Sequence, residues 1–505
     1  MTKDSFSFKK SFFNIYDHST RQPVGLYIIF FAEMWERFSF YGMRALLVLF
    51  MTKQLMYTDP VAYDVYGAYG ALVWAAPIIG GYLADHFLGS RFSVYAGGMI
   101  IMCGYFLIAM NFDNSLFWGL ATLVIGVALF KPNISTLLGQ LYNKYDLRRE
   151  SGYTIFYVGI NIGGFLAPFI CGYIGEVYGW RYGFALAGFG MMIGLIILYL
   201  GRNHIEEYQD NIINQSRADL KTPIIAGLGL NHLILITCFA AIPILSFLIK
   251  YNEGIQQSIP LFGMIALGVI IYTAMKSQPD DRRRIIAVLL IMPFYTGYFA
   301  CLEQMGGALL LFTERNIDRN IMGYLIPTSW TQSFNPLFIV IIGLILNRIW
   351  ASLDLKKIAF LPLIKFSIGM MLTGIGFYLL TLAIQYKSPD NIVDIKWLIG
   401  CYFLTALGEL LITPVALATV SRISPPQFVS FMFGALFLSH AFGYLIAGSI
   451  PKFFSLETTK NLSIDKVASL DVFAQTFEFT SMFAISLALL GIILNFAFKK
   501  LFIKY

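Results

Sequence analysis

Charge is what this chain has least of. Only 13% of its 505 residues are Asp, Glu, Lys or Arg, 57% are hydrophobic, and the mean hydropathy is +0.68. A soluble globular domain carries nearer a quarter charged residues, so the composition excludes one and predicts an all-α polytopic membrane protein. The apolar runs are continuous and about 20 residues long, not alternating segments of about ten, which excludes an outer-membrane barrel. Cysteine is equally scarce. The five (Cys103, Cys171, Cys238, Cys301, Cys401) fall one to an apolar run, giving neither a disulfide framework nor a metal spacing. Residues 1–22 are polar, with Lys3, Lys9, Lys10 and Arg21, and lack an apolar core followed by a cleavage site, so the first span is expected to anchor the chain. No paired-His motif, nucleophile elbow or phosphate-binding Gly loop is present, and nothing points to an enzyme. No buried Asp cluster or unwound Gly-rich segment suggests a sodium site, which leaves the proton as the expected coupling ion and no other cofactor.

What is present is length. Apolar runs fall near 24–51, 62–84, 92–110, 116–141, 152–175 and 183–200, then 226–249 and 257–275, then 285–312, 331–350, 359–384, 397–421, 429–450 and 478–498, fourteen in all. With an inner amino terminus, the inner segments hold about 22 Lys/Arg and the outer ones about 10. That bias predicts both termini on the cytoplasmic side. The net charge of +7 is then a matter of orientation and not of nucleic-acid binding. Six spans, a pair and six spans read as an amino-terminal six-helix bundle over 1–200, a linker with an inserted hairpin over 201–284 and a carboxy-terminal six-helix bundle over 285–505. The loop after span 2, Gly80 to Arg91, resembles the loop signature of the major facilitator superfamily. There a small residue permits close helix approach and an Asp–Arg set, here Asp85 and Arg91, latches the inner side. The loop from Gly343 is a fainter echo, with Asn347 spaced as Asp85 is, which fits two pseudo-symmetric halves enclosing a mid-membrane site.

The first span is the anomaly. It is long enough to cross a ~30 Å hydrocarbon core, yet it carries Glu33, Glu36, Arg37 and Arg44. At ~100° per residue these fall with Phe40 and Tyr41 in an arc of roughly 140°. Each charge near mid-bilayer costs at least ~2.5–3.5 kcal/mol on insertion scales, so four on one face need partners or a watery cavity. Lys131 lies deep in span 4 before Pro132, Asn161 in span 5, Glu303 and Gln304 in span 7, Asn335 before Pro336 in span 8, and Glu409 in span 10. One half leans cationic and the other carries only carboxylates, a pairing complementary to a small zwitterion. Burial favours a protonated carboxylate and a nearby cation favours a charged one, so moving a cation at Glu33 or Glu303 would switch a proton on or off.

Taken together, three motifs resemble the proton-dependent oligopeptide transporter family, bacterial type. They are ExxERFxxYG in span 1 (Glu33, Glu36, Arg37, Phe38, Tyr41, Gly42), FYxxINxG in span 5 (Phe156, Tyr157, Ile160, Asn161, Gly163) and GELxxxP in span 10 (Glu409, Pro414). KPNIS in span 4, EQ in span 7 and SFNPLF in span 8 fit as well. The resemblance implies a major facilitator superfamily fold in the inner membrane and proton-driven import of di- and tripeptides by alternating access, by a chain functional as a monomer. It further implies that Glu33, Glu36, Arg37 and Glu303 couple protons. Arg44, Tyr41, Lys131, Asn161, Asn335, Glu409 and Trp74 would bind substrate, with Arg44 and Lys131 toward the peptide carboxylate and Asn161, Asn335 and Glu409 toward its amino end. Gating would fall to Arg44, Glu303, Lys131, Glu409, Asp85 and Arg91. Three positions leave the family pattern: Phe40 and Trp74 where tyrosines are usual, and Leu436–Phe437 where a Trp–Phe pair is common. They alter pocket walls, which keeps a second expectation open: the same fold carrying another small zwitterion, anion or peptide-like compound.

Overall fold

The computed structural model describes residues 22–142, 148–206, 223–225, 228–251, 253–355, 362–424, 429–455 and 466–503. Within them the side chains of several stretches, including those of Asp85, Asn347 and Arg422, lie outside the described set. The chain forms long helices because backbone amides in hydrocarbon have no water to bond and must pair within their own segment. The first, α1, is Val24–Lys53. Pro77 divides the second span into α2 (Asp59–Ala75) and α3 (Pro77–Leu83). Then come α4 (Ser90–Met110), α5 (Ser115–Gln140), α6 (Arg148–Ala167), α7 (Tyr173–Tyr178) and α8 (Trp180–Leu200). The inserted hairpin is α9 (Leu230–Lys250) and α10 (Glu253–Lys276). The rest is α11 (Pro279–Leu302), α12 (Ala308–Asn316), α13 (Phe334–Leu355), α14 (Pro362–Gln385), α15 (Ile395–Ile423), α16 (Val429–Ser455) and α17 (Lys466–Ile503).

Among the described residues ten helical segments are long and apolar enough to cross a membrane. The other four expected spans fall on α1, which carries the charges, on the divided α2–α3, and on α10 and α13, whose side chains are described only in part.

In the first half α1 packs on α6 and α8, and α4 lies against α5 and α8. In the second, α14 packs on α15 and α17, and α11 on α15, α16 and α17. The halves meet mainly where α2 runs along α16. The hairpin rests on the first half through α9 against α5, where Lys250 Nζ donates to Asn114 Oδ1 at 2.9 Å.

Two local breaks shape the interior. Pro132 inside α5 lacks the N–H that would bond the Ala128 carbonyl. The backbone of α3 comes against that carbonyl at Gly80, where a Cβ would stand 1.9 Å from Ala128 O. The small residue expected in the Gly80–Arg91 loop therefore admits α3 to the carbonyl that the proline leaves free. The second break corrects an expectation. An unwound Gly-rich segment does exist: span 7 changes to a 3-10 turn over Glu303–Gly306 and restarts at Ala308, with Gly307 at φ −115°, ψ −110°.

At the end of the bundle where α1 finishes, polar contacts tie the halves together. Lys53 Nζ meets Glu314 Oε1 at 2.6 Å, Arg315 grips Asp59 through two bonds of 2.6 and 2.7 Å, and Lys452 Nζ meets Asp64 Oδ2 at 2.7 Å. Glu176 at the end of α7 accepts the backbone N–H groups of Thr328 and Ser329 at 3.1 and 2.8 Å, capping the turn that leads into α13. Glu176→Ala strands those two donors. The expected loss is about 1–3 kcal/mol for the cap, read as a lowered Tm of the purified protein in detergent, whereas Glu176→Gln keeps one acceptor and loses less.

Candidate substrate and proton site

The charged face of α1 turns into the bundle and is neutralised in two separate clusters. In the first, Glu33, Glu36 and Arg37 are almost completely buried. Arg37 binds its neighbour Glu36 with both arms of the guanidinium, at 2.5 and 2.6 Å, and stands 3.5 Å from Glu33. Lys131, presented by α5 just before Pro132, forms an ion pair with Glu33 Oε1. Glu33 is thus shared by two cations through one oxygen, while its Oε2 is buried with no hydrogen-bond partner. Phe40 offers the Arg37 guanidinium an aromatic face at 4.7 Å. That cation–π contact uses the ring face and needs no hydroxyl at position 40. Arg37, Phe40, Val73, Trp74, Val127 and Lys131 line a cavity of about 10 Å³, room for roughly one water molecule. Trp74 Nε1 is a buried donor with no hydrogen-bond partner.

The second cluster spans the halves at the break in span 7. Arg44 Nη2 lies 2.8 Å from Glu303 Oε2, and Tyr66 Oη from α2 donates to the same oxygen at 2.9 Å. Arg44 Nε also donates to Tyr66 Oη at 3.2 Å. Glycine at position 306 lets both groups approach: a Cβ would sit 2.3 Å from Tyr66 Oη and 3.0 Å from Arg44 Nε. The 3-10 turn therefore does chemical work, exposing the Glu303 carboxylate to two groups from the opposite half.

Glu409 on α15 is held by neutral donors. Asn335 Nδ2 donates to its Oε2 at 2.9 Å and Tyr298 Oη at 3.4 Å. This orientation of the Asn335 amide leaves its Oδ1 buried with no partner. Asn161 donates to the Tyr157 backbone carbonyl one turn earlier in α6, at 3.0 Å. The half-buried Tyr41 ring faces Arg44, 5.7 Å from the guanidinium carbon. In this conformation Lys131 and Glu409, both expected at a gate, are each engaged within their own half. Arg91 opens α4, while the Asp85 side chain of the expected inner latch lies outside the described residues.

Three contributors carry no sequence signal of their own. Tyr66 is one of several tyrosines in YDVYGAYG, and Tyr298 sits amid the aromatics of FYTGYF. His440 in LFLSHAFG is a lone histidine in an apolar helix. It lies flat between Trp74 (centroids 3.9 Å apart) and Phe299 (3.5 Å). Of the stacked rings, Trp74 lines the small cavity, and the Phe437 ring lies 6.1 Å from that of Trp74. Leu436 is fully buried in the core.

The chain as a whole resembles known proteins. A family profile described as POT family matches residues 92–468. The chain is 31% identical over 463 residues to the dipeptide and tripeptide permease A of Cronobacter turicensis, spanning 90% of this chain and 89% of the relative. It is 32% identical over 460 residues to the di-/tripeptide transporter of Lactococcus lactis subsp. cremoris, spanning 86% and 90%. A crystal structure of the peptide transporter POT in complex with sulfate superimposes with a TM-score of 0.79 at 30% identity, covering 96% of both chains. The fold is accordingly of the major facilitator type, and the protein is a multi-pass membrane transporter. With the profile and these relatives each spanning most of its length, the chain belongs to the POT family.

Proposed function

We propose that this protein is a proton-coupled symporter importing di- and tripeptides by alternating access. The observation that carries the reading is the pair of charge clusters on α1: one neutralised within its own half by Lys131, the other locked across the halves by Glu303. A buried ion pair that joins the halves is a contact that a carrier can break and remake as its halves separate and close. The names of the two relatives above support peptides as cargo.

The cycle follows from the contacts. Glu33 Oε2 is the oxygen open to a proton. A proton there releases Lys131, and the freed ammonium, with the Trp74 indole N–H, receives the peptide carboxylate. At the other side Glu409 and the unpartnered Asn335 Oδ1 are acceptors for the peptide ammonium. A proton on Glu303 neutralises the partner of Arg44 and unlocks the halves. Glu36 and Arg37 hold the field around Glu33, Tyr41 lines the path to Arg44, and Asn161 lines the α6 wall. Asp85 and Arg91 latch the inner end in the opposite conformation.

The halves correspond to 1–200 and 285–505, with the linker and hairpin at 201–284. Each protomer works as a monomer in the bacterial inner membrane, both termini cytoplasmic. The ion pairs beyond α1 then lie on the outer side, and this conformation is closed to the outside. The proton is the only coupling ion invoked, and partners are the peptide, protons and the bilayer.

Uptake of a labelled dipeptide into liposomes holding only this protein should rise with an inward proton gradient and collapse when the gradient is dissipated. Uptake indifferent to the gradient would sink the coupling. Glu409→Ala should weaken transport of peptides with a free amino terminus while leaving N-acetylated ones unaffected; equal handling of both kinds by the native protein removes Glu409 from that role. The cavity, walled by Phe40 and Trp74 where tyrosines are usual in the family, favours a second reading, a compact zwitterion other than a peptide. Competition by di-, tri- and tetrapeptides against such compounds in the same assay separates the two.

A further inference from the structure

His440 on α16 is a titratable group that the cycle above leaves idle. Its imidazole is 4% exposed. Both faces are covered, by Trp74 of α2 at an interplanar angle of 23° and by Phe299 of α11 at 27°. Only the ring edge is left, and it is aimed: Nε2 stands 3.4 Å from Glu303 Oε1. The carboxylate is thereby divided. Oε2 belongs to Arg44 and Tyr66, the cross-half lock, Oε1 faces the imidazole, and the Tyr444 hydroxyl also hydrogen-bonds the carboxylate. The other titratable groups around the ring are Tyr444 on its own helix, stacked at 5.5 Å, and Tyr295 of α11, edge-on at 6.4 Å. Arg44 of α1 and Tyr66 of α2 meet it through Glu303. Glu409 of α15 is turned to Asn335 and Tyr298. From the remaining helices packed on α16, namely α3, α10 and α17, no described group hydrogen-bonds the ring. The stack also bridges the halves, since Trp74 belongs to one and His440 and Phe299 to the other.

We propose that His440 and Glu303 share one proton, and that His440 delivers it to the carboxylate oxygen turned away from Arg44. This extends the proton-coupled reading above and rests on it. The step is balanced by the pair alone: the imidazolium Nε2–H bond breaks, an O–H bond forms at Oε1, the imidazole is left neutral, and the partner of Arg44 loses its negative charge. Proton transfer works at about 2.6–3.2 Å, so the ring must close a few tenths of an ångström on Glu303 first. Because the stack holds the ring from both halves, that approach is tied to their relative position. A proton would thus reach the lock only while the halves are together.

The full-length protein in liposomes tests this with dialanine as probe, measured as gradient-driven accumulation and as counterflow at equal pH. His440→Phe keeps a stacking ring without a proton site, and His440→Gln keeps a polar edge that carries none. Both should lose gradient-driven accumulation by about a hundredfold, the lower end for a positioned acid–base group, while counterflow persists with KM raised no more than about threefold. Variants that accumulate like the native protein overturn the proposal and leave the broader reading standing. Equal loss of both modes assigns His440 a packing role and also overturns it. Native protein that moves no dialanine would instead count against the peptide reading. For that case histidine-labelled protein in detergent gives a substrate-free readout: the His440 resonance should titrate, and Glu303→Gln should displace its midpoint. A His440 signal unmoved by Glu303→Gln rejects the shared proton.

Discussion

Lys131→Ala is expected to reduce gradient-driven dipeptide uptake to that of empty liposomes and to lower stability by about 3–5 kcal/mol, the cost of stranding one partner of a buried ion pair. The partner left behind is Glu33, completely buried, with one oxygen already unpaired and only the longer 3.5 Å contact to Arg37 remaining. Two effects are combined in that single change, and a double variant separates them. Glu33→Gln with Lys131→Met removes both charges at near-constant volume, and such replacements are often neutral or stabilising. Thermal unfolding should therefore return close to native while uptake stays at background, because neither the proton site nor the carboxylate acceptor survives. Recovery of uptake in the double variant would mean that the pair only holds the bundle together.

Gly306→Ala should act almost as severely through one methyl group. The added Cβ would stand 2.3 Å from Tyr66 Oη, which must move, and 3.0 Å from Arg44 Nε, which must give by a few tenths of an ångström. Relieving that overlap moves Tyr66 off Glu303 and shifts Arg44 against it. Misplacement on the 1 Å scale costs on the order of 10²-fold in positioned chemistry, and that is the expected fall in gradient-driven uptake. Overpacking of this kind destabilises by roughly 1–3 kcal/mol, so the protein should still purify folded, as near-native elution in size-exclusion chromatography would verify. Tyr66→Phe on top removes the nearest atom and should restore part of the loss. Native transport by Gly306→Ala would show that the contacts of Glu303 at the break are dispensable.

The sequence made the charged face of α1 legible because charge in an apolar run has no innocent reading, and the same reasoning found Lys131, Glu303 and Glu409. The pairing is what the structure adds: Lys131 meets Glu33 of the α1 cluster, and Arg44 meets Glu303. Other contributors stayed hidden for a physical reason. Tyr66, Tyr298 and His440 sit in aromatic stretches where a polar tip adds little to the hydropathy of a membrane helix, and their roles depend on what crosses them from another helix. The break at Gly306–Gly307 was invisible for a related cause, since paired glycines occur in several of these helices and only the approach of Tyr66 and Arg44 gives this pair its purpose. Asp59, Asp64, Glu176 and Glu314 pass for ordinary loop charges until partners from the other half arrive.

Those last residues carry a consequence for how the surrounding medium acts on the protein. If that end is the outer one, three ion pairs among the described residues hold it shut, and they differ in how far solvent reaches them. Lys53 is 44% exposed in its pair with Glu314, whereas Arg315 is 12% exposed in its pair with Asp59. Dissolved ions screen open pairs well and enclosed ones poorly, over about 8 Å at physiological ionic strength. Raising the salt outside would therefore loosen Lys53 from Glu314 first and leave Arg315 on Asp59. The outer door would ease before it opened, and a cell in brackish surroundings would run this carrier at a different resting balance from one in fresh water, with no change in the gradient that drives it.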